Sequence, residues 1–199
     1  DTLPHFDYET HLAALTGDTP HWPDSTRTIS ELRLSLRVRP TGVLSGLSGP
    51  RTVHVDIVDY PVEWLLDLAL LDKSYAEWST EVLTRIKTRV QAAEYLRELD
   101  HINTLDPFEE PNAKSLAGAF THYLHGARDA GFYDCTPGRF LLPGDLDGSP
   151  VLTFSPLPAQ SKAPRKSLWY EMERRFEAYK SKVVTPFFRD HFARIDRQV

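Results

Sequence analysis

Hydrophobic and polar positions alternate along residues 29–39, with Leu32, Leu34, Leu36 and Val38 on one face and Glu31, Arg33, Ser35, Arg37 and Arg39 on the other. That period of two predicts a half-buried strand, because successive side chains of extended backbone point to opposite faces. A second run, Val53-His54-Val55-Asp56-Ile57-Val58, keeps the period until Val58 breaks it, and ends at Asp59. Its β-branched density and wholly apolar end predict deeper burial than the Arg-lined strand before it. Between the two, Pro40–Pro50 carries three glycines and two prolines and reads as a hairpin loop. Upstream, Asp7–Thr16 reads as a short helix with Phe6, Leu12 and Leu15 inward and Gly17 as its stop, followed by a polar connection, His21–Thr28.

After Pro61 the period changes. Trp64 to Leu71 is an apolar segment with helical spacing, and beyond Lys73 the residues Tyr75, Trp78, Val82, Ile86, Val90 and Ala93 recur at three and four. This predicts one long amphipathic helix to about Asp100. A second helix is expected over Asn112–Ala130, with Leu116, Phe120, Tyr123, Leu124 and Ala127 inward and Gly131 as stop. Asp134–Pro150 is loop-like, Val151–Leu157 is a candidate strand and Pro156–Pro164 a linker. Leu168, Met172, Phe176, Tyr179 and Val183 form the stripe of a further helix. Thr185-Pro186 has the form of a helix start, with Thr as N-cap and Pro at the first helical position. The pattern suggests three parts: 1–72 with the strands, 73–150 helical, and 151–199 with a strand and the last helices.

Composition narrows the class. At 199 residues and 41% apolar content the chain is long enough for one sizeable core or two small ones. Its one cysteine, Cys135, forms no internal disulfide, nothing argues for secretion, and no run reaches the length of a transmembrane helix. A cytoplasmic setting is therefore expected. The net charge of −5 is uneven: residues 160–199 carry ten Lys/Arg against five Asp/Glu. A solvated helix face accounts for that better than a phosphate or acidic partner, and no nucleic acid is expected.

The candidate chemistry centres on Asp59, a carboxylate at the carboxyl end of an apolar strand. In P-loop NTPases such a residue holds Mg²⁺, directly or through a water, beside the transferred phosphate; a capping or turn carboxylate is the plainer alternative. His122 and His125, three apart on a helix, lack a carboxylate or thiol pair and read as ordinary histidines. Gly144-Asp145-Leu146-Asp147-Gly148 lacks the distal Glu of a calcium loop and reads as a turn. Arg139, in PGRFLLPGD, fits a scaffold or surface role better than a phosphate-facing one. No G-x-x-x-x-G-K-[ST] occurs, so no phosphate-cradling loop is present, and no Gly-x-Ser-x-Gly elbow exists.

Several long phrases carry a resemblance. DIVDYPVEWLLDLALL, LPHFDYETHLAALTG, RTISELRLSLR and PGRFLLPGDL are similar, in this order and over essentially the whole chain, to the YcjX-type family of P-loop NTPases. The resemblance implies an α/β fold, a partial P-loop NTPase sheet with an inserted helical bundle, read as an internal fragment whose phosphate loop lies upstream. It implies GTP or ATP bound with Mg²⁺, phosphoanhydride hydrolysis driving a conformational switch, and a stress-linked role in bacteria. In that frame the order polar loop, strand, hairpin, strand, Asp59 runs from the first switch through the second. Thr26 and Thr28 then stand where switch threonines reach Mg²⁺ and the γ-phosphate, neither singled out over the other, and ordinary loop hydroxyls are the plainer reading. Val62 occupies the glycine position of Asp-x-x-Gly, where a β-branched residue would crowd the phosphate and stiffen the switch. The rival class is a non-catalytic interaction module whose helices bind a protein partner beside a degenerate nucleotide site.

Overall fold

The computed structural model describes residues 4–23, 26, 28–39 and 49–197. The chain forms two compact units, Asp1–Pro61 and Val62–Val199. It is an α/β protein whose sheet, among the described residues, has two strands.

In the first unit, α1 (Tyr8–Thr16) begins where Asp7 caps it, its carboxylate accepting the Thr10 N–H at 3.2 Å, and ends at Gly17. Hydrogen bonding from the Thr10 side chain, and then from its N–H, holds the Asp7 carboxyl below the usual carboxylate range. Leu12 and Leu15, expected inward, are exposed. The half-covered face carries His11 and Ala14 instead, which line a cleft, so the apolar pair falls outside it.

Strands β1 (Ser30–Val38) and β2 (Arg51–Asp59) pair antiparallel in a register from Ser30↔Asp59 to Val38↔Arg51. The pairs Leu32↔Ile57, Leu34↔Val55 and Leu36↔Val53 gather the apolar residues on one face. On the other, the Arg33 guanidinium donates to both Asp56 oxygens at 2.5 and 2.8 Å, and Ser35 meets His54 at 3.0 Å. The deeper burial expected of β2 is not found: Val53, Val55 and Ile57 are 44%, 39% and 47% exposed. With two strands among the described residues, neither of these is central, and β-branched density alone cannot bury a strand. Pro4 and Phe6 exchange backbone hydrogen bonds with Glu31 at 2.9 and 3.1 Å. The expected hairpin loop falls mostly on residues 40–48, outside the described residues, as do positions 24, 25 and 27 of the polar connection.

The second unit opens with a 3₁₀ helix, Val62–Leu70, and then α2 (Tyr75–Ile86), started by a capping box between Ser74 and Glu77. The long helix expected to Asp100 is broken. After a 3₁₀ turn at Val90–Ala92 it resumes as α3 (Ala93–Asp100). The cause is long-range: Arg89 takes an extended backbone, and its guanidinium grips both Asp134 oxygens at 3.0 and 2.8 Å and meets the Tyr123 hydroxyl at 2.8 Å. Beyond the break the stripe is reset, so Val90 is 81% exposed and Ala92, not Ala93, is buried.

Helix α4 (Glu110–Asp129) buries all five residues expected inward, and Gly131 follows it with φ +85°, a left-handed conformation that favours glycine. Residues 134–150, expected as loop, include the buried turn α5 (Gly138–Leu141). Then α6 (Leu168–Tyr179) passes through a π-turn, Lys180–Val184, into α7 (Thr185–Asp190). Thr185 is therefore not an N-cap; its backbone is helical and its N–H reaches back to the Lys180 carbonyl. Pro186 has no N–H to continue the i→i−4 ladder, and a π-turn is one way a helix absorbs that loss.

The core of this unit is aromatic. Trp78 stacks on Phe176 at 5.0 Å and meets Phe120 and Phe154 edge-on at 6.0 and 5.7 Å. Residues 151–157 do not form the expected strand. Val151 and Leu152 belong to a 3₁₀ turn, and 153–157 run buried with no strand partner among the described residues. Side chains collect their carbonyls instead: Arg175 donates to Thr153 O at 3.1 Å, Tyr75 to Ser155 O at 2.8 Å, and Tyr95 to Pro156 O. Each buried carbonyl needs a donor, and three helices supply them in place of a ladder.

Candidate functional site

β2 carries Asp59 to its carboxyl end, where the chain leaves the sheet and the side chain is half-buried. The Thr26 hydroxyl donates to Asp59 Oδ2. A cleft of about 510 Å³ lies around this pair, lined also by Thr28, Ser30, His21 and His11. The register explains the position: Ser30 opposite Asp59 brings the start of β1, and with it the preceding threonines, to the end of β2. Of the two threonines that sequence left equal, Thr26 touches Asp59, while Thr28 is exposed on the lining of the same cleft. Val62 begins the second unit and is 70% exposed.

A carboxylate that pattern reading passed over lies further along. Asp67 is 2% exposed and accepts from the Gly138 N–H at 2.7 Å, the Arg139 N–H at 3.3 Å and the Tyr179 hydroxyl at 2.5 Å. Burial raises its pKa to about 6, against the pull of those donors downward. Gly138 is fixed by close approach, since a Cβ there would lie 1.8 Å from Glu63 O. Arg139 is buried with its guanidinium 3.1 Å from the centre of the Trp64 ring, and it donates to Pro143 O and to Asp145 at 3.2 Å each. Of the scaffold and surface roles expected for it, this is the scaffold one, since the residue is buried. The signal for Asp67 was present in the sequence as a lone carboxylate inside Trp64-Leu-Leu-Asp-Leu-Ala-Leu70.

The YcjX-like family model, also designated DUF463, matches residues 1–199. The chain belongs to the YcjX-like family. It is 42% identical over 207 aligned positions to the Ras-like GTPase YcjX of Shewanella oneidensis, covering 98% of this chain and 43% of that protein. It is 38% identical over 208 positions to the Ras-like GTPase YcjX of Escherichia coli K12, covering 99% of this chain and 45% of that one. The chain thus spans less than half the length of the curated relatives it matches.

Against this family background the remaining candidates are quiet. Among the described residues no group of three or more His, Cys, Asp or Glu side chains gathers as a metal cage. His122 lies 4.0 Å from Glu94 on an exposed helix surface, and burial lowers the pKa of His125. Gly144–Leu146 is a 3₁₀ turn whose Asp145 is taken by Arg139. Among the described residues no helix is long and apolar enough to cross a membrane.

Proposed function

We propose that this chain supplies the magnesium-side part of a nucleotide site in a GTPase-like protein that hydrolyses its nucleotide as a switch. The observation that carries the reading is the Thr26–Asp59 hydrogen bond at the end of β2, inside a cleft that Thr28 also lines. A hydroxyl and a carboxylate in contact are two hard oxygen donors, the kind Mg²⁺ takes singly or in pairs while water and phosphate complete its shell. Asp59 would hold the ion directly or through a water, with Thr26 and Thr28 as the hydroxyl candidates. Bound there, Mg²⁺ supplies neutralisation of charge on the phosphates. The grip on the β-phosphate comes from another part of such a protein, because this sequence has no phosphate loop. GTP is favoured over ATP by the names of the two relatives. In this reading residues 1–72 belong to the nucleotide domain, and 73–150 and 151–199 to a helical part with a cytoplasmic setting and a surface for a protein partner.

Val62, exposed where Asp-x-x-Gly has its glycine, favours a second reading in which the site is degenerate and the chain is an interaction module. Calorimetric titration of a full-length protein carrying this segment, with GTP and ATP and with and without Mg²⁺, separates the two. We expect Asp59→Ala to remove the Mg²⁺-dependent gain in affinity, about tenfold or more, and Val62→Gly to leave affinity nearly unchanged. An Mg²⁺ dependence untouched by Asp59→Ala overturns Asp59 as the magnesium-side residue, and no binding of either nucleotide leaves the interaction module.

A further inference from the structure

The segment after Asp59, Tyr60 and Pro61 has a form that needs an explanation. Val62–Leu70 is a nine-residue 3₁₀ helix, and Leu71 and Lys73 continue with N–H bonds to the carbonyls of Leu68 and Leu70. Runs of this form beyond about four residues are uncommon because the hydrogen bonds are poorer and side chains three apart eclipse. Its buried residues are Trp64, Asp67 and Leu70, the period-three face that a 3₁₀ helix presents. The sequence serves an α-helix as well, since Leu65, Leu66, Leu68 and Leu71 are all half-buried apolar residues. A turn of the helix would exchange one set of leucines for another at little cost in burial. Room for that exchange exists: a cavity of about 320 Å³ is lined by Leu65, Leu66 and Ala69 on one side and by Trp78 and Thr136 on the other.

One polar tie selects the observed form. Asp67 is bound at once to the first N–H groups of α5 and to the hydroxyl of Tyr179 in α6. We propose that Val62–Leu70 is a 3₁₀-to-α switch latched by Asp67, through which a change at the Asp59–Val62 element reaches α5 and α6. The part of the proposal that concerns nucleotide rests on the magnesium-side reading above; the latch does not. The geometry sets the size of the movement. Between Val62 and Asp67 the rise falls from about 2.0 to about 1.5 Å per residue on conversion, a shortening of about 2.5 Å with a rotation of about 100°. With Asp67 held, Val62 moves. With the element after Asp59 held, Asp67 must pull on Gly138 and Tyr179 or let go. Gly138 cannot give way easily, because its backbone already lies against Glu63 O.

The test has two arms. In the 199-residue chain, Tyr179→Phe removes one donor to Asp67 and keeps the ring. Hydrogen exchange of 62–70 should quicken by about tenfold while α2 and α4 stay at wild-type rates. Spin labels at Val62→Cys and Lys114→Cys, on a Cys135→Ala background, should show a second distance population displaced by about 2–3 Å. Unchanged exchange in 62–70, a uniform rise across the second unit, or a single unshifted distance would overturn the latch. In the full-length protein, a non-hydrolysable GTP analogue with Mg²⁺ should alter exchange at both 62–70 and 138–142, and Tyr179→Phe should confine the change to 62–70. A change at 138–142 undiminished in Tyr179→Phe overturns the coupling. Absence of analogue binding overturns the nucleotide reading, and with it the nucleotide as the signal, while the first arm still decides the latch.

Discussion

The two units treat apolar residues in opposite ways. Around Trp78 the second unit encloses Tyr75, Phe120, Phe154 and Phe176, each essentially without solvent exposure. The first unit leaves the leucine and valine face of its hairpin 39–47% exposed from Leu34 through Ile57. Nevertheless the less buried unit carries the Thr26–Asp59 pair, and the packed one carries Asp67, a carboxylate tied into scaffold. A core of interlocked aromatics holds its own geometry, whereas a two-stranded ribbon is marginal by itself. Chemistry placed at the end of β2 therefore depends on what else covers the hairpin.

The largest effect is expected at Trp78, at the centre of the aromatic core. Trp78→Ala should cost about 3–5 kcal/mol in urea unfolding, as large aromatic truncations in close-packed cores do. A loss below about 1 kcal/mol would mean that the aromatic cluster is not the stabilising core.

A smaller effect comes from pH. Asp67 has a folded-state pKa of about 6 against an ordinary 3.8, so the folded state holds its proton more tightly than the unfolded one. Its contribution is fully present below about pH 4 and is lost as pH rises through 6. Relative to Asp67→Asn, wild-type stability should fall by on the order of 2–3 kcal/mol between pH 4 and 7. Urea midpoints across that range measure it, and parallel profiles for the two proteins would show that Asp67 is not buried as described.

The smallest effect is expected on the hairpin. Val55→Thr, on its exposed apolar face, should change the stability of this chain by no more than about 0.5 kcal/mol. A larger loss would mean that this face is covered in solution, and would bring the two units closer in kind.

How far the sequence carried depended on the range of the interactions. Period two placed both strands and period 3.6 placed α4 and α6, because those patterns are local. The break between α2 and α3 was hidden, since it depends on Arg89 meeting Asp134 across 45 residues of chain. Residues 153–157 have the composition of a strand. Their carbonyls are met by Tyr75, Tyr95 and Arg175, and no local pattern announces a partner so distant. At the site, the strand-end position of Asp59 was legible and its contact with Thr26 was not, because register, not composition, brings the start of β1 to the end of β2. Asp67 was overlooked for a related reason: in a run of leucines one aspartate reads as an interruption until its donors from α5 and α6 are seen.

In the proposed reading Thr26 and Asp59 act as one magnesium-side unit. A double-mutant cycle on Mg²⁺-dependent GTP affinity in a full-length protein carrying this segment tests it most directly, using Thr26→Ala, Asp59→Ala and the pair. The double variant should lose little more than Asp59→Ala alone, with a coupling energy of about 1 kcal/mol or more. Additive losses, or no loss in either single variant, would contradict it.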